Sequence, residues 1–381
     1  MTTRRTLLKS ATAILTLSLA IPGAALADTP KRVVATFSIL GDMVERIGGD
    51  HVEVTTLVGP NGDTHVYQPT PQAARAVSEA EILVVNGLEF EGWLDRLTEA
   101  SDFSGVRVVA TDGIEAIPFD DDHHDHDEHA EGEDHDHEHE EHAEGEDHDH
   151  DHDEHAEGED HDHEHEEHAE GEDHEHEHEE HAEGEDHDHE HEEHAEGEGH
   201  DHHHHGAFDP HAWQSLDNAV IYVDNITAAL AKADPENAAT FYENRAAYVA
   251  EIEALDAEIH DIVAALPEDH RTVVTSHDAF QYFGRDYGLT FLSPQGLSTE
   301  SEASAQDVAG LIERIREEGI SAVFLENISD GRLLEQIASE TGATIGGTLY
   351  PGALSEADGP APTYLDMMRY NANTLAEALG H

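Results

Sequence analysis

The chain has 381 residues, a formal net charge of −71 and no cysteine. The missing thiols exclude disulfides, thiolate metal sites and an acylated lipoprotein cysteine. So large an acid excess excludes nucleic acid as a partner, because that binding depends on clustered Lys and Arg.

Residues 1–27 read as an export signal. Arg4 and Arg5 open it, an apolar run spans Ala11 to Ile21, and Ala25-Leu26-Ala27 offers a small-x-small cleavage site before Asp28. The string from Thr3 to Lys9 is close to a twin-arginine signal, with an ordinary secretory signal as its competitor. The apolar run is too short for a retained membrane span. A soluble protein without stable membrane insertion is therefore expected, in the periplasm of a two-membrane bacterium.

A first α/β lobe is expected over residues 28–233. Arg32 to Ser38 is a β-rich run, and Ile39 to Ile47 has helical spacing that ends at Gly48-Gly49. Val52 to Val58 reads as a strand, Pro71 to Ala80 as a helix and Ile82 to Val85 as a buried strand. Gly92 to Ala100 is helical in pattern and Val106 to Ala110 extended. Such alternation predicts βα units around a parallel sheet.

Residues 120–205 interrupt that lobe. They hold 29 of the 36 histidines and 44 of the 88 acids, with no Lys or Arg. The heptapeptide Glu-His-Ala-Glu-Gly-Glu-Asp begins at Glu128, Glu141, Glu154, Glu167 and Glu180, with a variant at Glu193, so the unit is 13 residues long. A solvating linker needs charge but not a histidine at every second or third position. Imidazole with surplus carboxylate suits divalent transition metals. The segment buries too little apolar surface to offset its backbone entropy, so it is expected to be disordered. As a flexible coil it would span roughly 50 Å root-mean-square. Neighbouring carboxylates favour imidazolium, so protons compete with metal near neutral pH. Many weak, exchanging sites are expected, a collector rather than a centre.

Beyond the repeat, Leu216 to Ala233 reads as a helix, and Pro235 to Leu266 as a long one without internal Gly or Pro. At 1.5 Å per residue the latter is about 45 Å long, and residues 234–266 are assigned as a linking helix. A second α/β lobe is expected over 267–381. Its strands are Thr272 to Thr275, Thr290 to Leu292, Ala322 to Leu325 and Thr344 to Ile345, with helices between and a last one from Thr363 to Leu379.

Three histidines outside the repeat stand where a ligand site would form. His65 lies in a Gly/Pro-rich loop after a predicted strand. His211 lies in Asp209-Pro210-His211-Ala212-Trp213, before a predicted helix. His277 lies at the carboxyl end of a strand, where open parallel sheets place their ligands. Asp278 beside it reads as the oxygen that takes the second ring nitrogen of a ligand histidine.

The motif Gly59-Pro60-Asn61-Gly62-Asp63-Thr64-His65-Val66-Tyr67-Gln68-Pro69-Thr70-Pro71 and the strings Val85 to Leu94, Asp209 to Trp213, Ser276 to Phe283 and Asp358 to Tyr364 occur in order. Together they resemble the zinc- and manganese-binding solute-binding proteins of ABC transporters, over nearly the whole mature chain except the repeat. The resemblance implies two α/β lobes joined by one long helix, an ion held in the cleft between them, and delivery to a membrane permease powered by an ATPase. It implies a monomer, His65 and His211 as first-lobe metal ligands, and His277 as the second-lobe ligand. Manganese-type relatives tend to carry a carboxylate where His277 stands, and three imidazoles favour zinc over the harder manganese ion. Where many relatives have an Asp as fourth ligand, this chain has Gly352. Water is the favoured fourth ligand, with Asp358 or a repeat histidine as alternatives.

Three histidines and an open position also describe a catalytic zinc. A hydrolase, however, wants a general base beside its water, and no His-Glu-x-x-His helix occurs among the folded histidines. A binding protein, not an enzyme, is expected. A free-standing metal buffer acting mainly through the repeat is the rival reading, with uptake of manganese or another divalent ion a further one.

Overall fold

The computed structural model describes residues 29–119 and 207–380. The export-signal reading of residues 1–27 and the disordered-repeat reading of residues 120–205 lie outside the described residues.

The first four-stranded sheet is built from β1 (Lys31–Phe37), β2 (Val52–Val58), β3 (Ile82–Val85) and β4 (Val106–Val109), in the order β2-β1-β3-β4. Every pairing is parallel. Central strand β1 is buried on both faces from Val33 onward, which is why it reads as a continuous apolar run, whereas edge strand β2 alternates. Helices α1 (Ser38–Gly48), α2 (Pro71–Glu79) and α3 (Leu94–Ala100) provide the crossovers. Thr70 caps α2 by accepting the Ala73 N–H, and Pro71 occupies the first turn, where a missing N–H costs nothing. Helix α3 starts two residues later than its pattern suggests, after a turn at Gly92-Trp93.

Helix α4 (Leu216–Ala233) begins at the Ser215 cap. Helix α5 covers Ala238–Ala264, 27 residues and about 40 Å. Its buried residues Phe241, Tyr248, Ile252, Leu255, Ile259 and Val263 form one stripe, and it packs against α1, α4 and the last helix. The helix is shorter than the Pro235 to Leu266 expectation because Asp234 to Asn237 fold into a turn: the Asn237 amide and N–H both reach Asp234.

The second sheet repeats the first in form. Strands β5 (Thr272–Val274), β6 (Thr290–Leu292), β7 (Ala322–Glu326) and β8 (Thr344–Leu349) lie in the order β6-β5-β7-β8, all parallel. Helices α6 (Gln281–Tyr287), α7 (Ala305–Glu318) and α8 (Arg332–Thr341) end at Gly288, Gly319 and Gly342 in the left-handed conformation, and α9 (Tyr364–Leu379) starts at the Thr363 cap. Strand β8 runs four residues past its predicted end, through Gly346-Gly347. Those glycines are required by packing: a Cβ at Gly346 would stand 2.6 Å from Phe324.

The molecule is thus α/β, two parallel-sheet lobes with the long helix α5 between them in sequence. One continuous core runs from β1 and β3 through α4 and α5 to Phe280, Phe283 and α9, and a smaller one fills the space under α7 and α8. Among the described residues no helix is long and apolar enough to cross a membrane.

Candidate metal site

The loops at the carboxyl ends of β2 and β5, together with the segment before α4, meet between the lobes. They bring His65, His211 and His277 together, with one ring nitrogen of each within 4.8 Å of the others. The ring centroids form a near-equilateral triangle of 5.4, 5.6 and 5.3 Å. His211 and His277 are fully buried and His65 is half-buried, so the site is closed on the protein side and open at His65.

Each histidine is held by its own carboxylate. Asp63 Oδ1 accepts the His65 backbone N–H at 2.9 Å. Asp209 Oδ1 takes the His211 backbone N–H at 2.9 Å and lies 2.8 Å from its Nδ1. Glu326, the last residue of β7, accepts the N–H groups of Ser276 and His277 with one oxygen, and its other oxygen lies 2.6 Å from His277 Nδ1. Binding Nδ1 this way leaves Nε2 of His211 and His277 for other work. Nε2 of His277 is buried and, among the described residues, has no hydrogen-bond partner. Nε2 of His211 is 3.3 Å from Nε2 of His65. Two nitrogens each 2.0–2.1 Å from one tetrahedral ion are about 3.3 Å apart.

Burial sets the charges. It drives His211 well below its ordinary value, helped by the nearby His277. It also pushes Asp209 up to about 7, so the metal-free pair is held close to neutral. At His277 burial works against protonation but is outweighed by the Glu326 carboxylate, with Asp63 and Asp278 assisting, and the net shift is upward. Burial likewise raises Asp63. A dication among these groups would favour ionised carboxylates and neutral imidazoles.

The expected role of Asp278 is corrected. The partner of His277 Nδ1 is Glu326, while the Asp278 side chain accepts from Gln281 Nε2 and its backbone N–H donates to Gly296. Asp358, weighed as a fourth ligand, is not part of the cluster; among the described residues no further His, Asp or Glu joins the three. A Cβ on Gly352 would meet Trp213 at 3.6 Å. At the edges of the described residues, Pro118 and Phe208 form an antiparallel bridge, Phe208 lying three positions before His211 in sequence.

The family model described as "ZnuA: Zinc-uptake complex component A periplasmic" matches residues 33–378. The iron-binding protein YfeA of Yersinia pestis is 28% identical over 355 residues, covering 93% of this chain and 88% of that protein. The manganese-binding lipoprotein MntA of Bacillus subtilis (strain 168) is 29% identical over 358 residues, covering 93% and 91%. Among solved structures, the Mn-bound periplasmic metal binding protein from candidatus liberibacter asiaticus superposes with a TM-score of 0.64 at 26% identity, covering 92% of this chain and 99% of that one.

Proposed function

The chain belongs to the zinc-uptake complex component A family, the periplasmic metal-binding proteins of ABC transporters, and from that premise we propose that it captures Zn(II) between its lobes on His65, His211 and His277. The relatives bear names for iron and for manganese, and the family model one for zinc, so the choice of cargo rests on the donor set. The observation that carries it is that all three converging donors are imidazoles, with Asp63, Asp209 and Glu326 each bonded to one of the histidines. Nitrogen donors suit zinc, whereas manganese prefers oxygen.

Capture follows from the geometry. Nε2 of His65 and Nε2 of His211 stand 3.3 Å apart. Both must be free of hydrogen to take a cation, so a neutral ring with its hydrogen on Nε2 shifts it to Nδ1 and only a protonated ring releases one. His277 supplies the third nitrogen from the other lobe, already oriented by Glu326. Water takes the remaining position on the His65 side. The loaded monomer then passes its ion to a membrane permease, and the His-rich repeat raises the local zinc concentration without setting specificity. Competition titration with zinc, manganese and iron tests this: zinc binding at least a hundredfold tighter than manganese supports it, and the reverse order favours the manganese reading that the relatives' names suggest.

A further inference from the structure

The loop Asn86–Glu91 follows β3 and reaches both first-lobe histidines. Its backbone is unusual. Gly87, Leu88 and Glu89 have φ of 95°, 53° and 61°, three successive residues in the left-handed region. Residues with a Cβ adopt it at a cost, and runs of it persist only where surrounding contacts impose it. Here the imposing group is the carboxylate of Glu91, which is 6% exposed. It folds back to accept the N–H groups of Asn86 and Gly87 at 2.7 and 3.3 Å, and the Thr36 hydroxyl at 2.6 Å. Gly87 has no substitute, since a Cβ there would lie 2.6 Å from Val109 and 2.7 Å from Thr111.

The closed loop delivers two side chains. Asn86, fully buried, donates its amide to the Pro210 carbonyl at 2.9 Å and is itself fixed by the Tyr222 hydroxyl at 2.6 Å. The peptide unit between Pro210 and His211 is therefore gripped at both ends, its oxygen by Asn86 and its N–H by Asp209. Phe90 places its ring 4.9 Å from that of His65 and 5.8 Å from that of His211.

We infer that Asn86 and Glu91 are positioning residues for the first-lobe histidine pair: Glu91 clamps a strained loop shut so that Asn86 and Phe90 hold His211 and His65 at ion-binding separation. This rests on the proposed metal capture. Closed loops of this kind set dissociation more than association, because the donors must separate before the ion leaves.

The test uses the full chain loaded with one equivalent of cobalt(II) or zinc. Glu91→Gln, Asn86→Ala and Tyr222→Phe are compared with Ile47→Ala, a core truncation on α1 that lowers thermal stability without touching the loop. Zinc release to a chelator should be at least tenfold faster in the first three, and the cobalt visible spectrum should shift, while Ile47→Ala changes neither. Asn86→Ala risks the fold; Glu91→Gln and Tyr222→Phe then decide. Release rates and spectra that follow only thermal stability across all four variants overturn the positioning role. His65→Ala separates the two levels of argument: if it keeps the tight equivalent, the metal site itself is wrong, whereas if it loses that equivalent and the loop variants behave as the parent, only this inference fails.

Discussion

His277 and Glu326 are 49 positions apart in sequence, yet the carboxylate takes the histidine's Nδ1 at 2.6 Å and its backbone N–H as well. The pairing exists because β5 and β7 are neighbours, so their carboxyl ends place a buried acid beside a buried imidazole. Glu326→Gln keeps the volume but removes the charge and replaces one acceptor with a donor. It should weaken zinc binding by about 10–100-fold, the range found for such outer partners. Chelator competition checks this; unchanged affinity would show that β5 alone orients the ring.

Asp42 on α1 gives a pH signature away from the site. Burial, opposed by the Tyr364 N–H and by Arg46, pushes its carboxyl up to about 6. The folded state thus keeps the proton longer than the unfolded chain, whose carboxyl titrates near 3.9. Stability attached to neutral Asp42 is complete below that value and is lost as pH rises through about 6. The loss is about 2–3 kcal/mol. Asp42→Asn should therefore be more stable than the parent at pH 7.5, with the gap closing near pH 4. Urea unfolding of the metal-free proteins at both pH values measures the gap, and a pH-independent gap contradicts it.

Gly352 tests selectivity. A side chain there starts from ordinary contact with Trp213, at 3.6 Å. Gly352→Asp is expected to fold and to offer an oxygen donor, raising manganese affinity relative to zinc by tenfold or more. Parallel manganese and zinc titrations read the ratio; an unchanged ratio means the new carboxylate does not reach the ion.

The repeat is expected to contribute number, not strength. Its flanks are already joined, with the Phe119 N–H bonded to the Ala207 carbonyl at 3.0 Å, so removing Asp122 to His204 leaves a short connection across a formed bridge. Calorimetry should then show one tight zinc equivalent and no weak ones. Loss of the tight equivalent would make the repeat the true site.

Much of the site was legible because its histidines announce themselves. His65 and His277 each stand in a break between an apolar run and a helix, His211 stands just before a helix, and strands such as Val52–Val58 and Ile82–Val85 are bounded by polar or glycine residues. Glu326 was not legible. It closes an apolar run as an ordinary strand end, and Asp278, adjacent to His277, offered a nearer but wrong partner. Only the sheet order reveals which acid meets which imidazole. The expected end of strand β8 at Ile345 falls short for a related reason: Gly346-Gly347 signal a turn locally, while the close approach of Phe324 is a tertiary demand. The grip of Asn86 on the His211 peptide likewise joins residues 124 positions apart and leaves no local pattern.

Zinc-edge X-ray absorption of the repeat-deleted protein at one equivalent of zinc tests the shared coordination most directly. The account predicts three imidazole nitrogens at about 2.0–2.1 Å, falling to two in His277→Ala. A first shell of oxygens, or one that His277→Ala leaves unchanged, would contradict it.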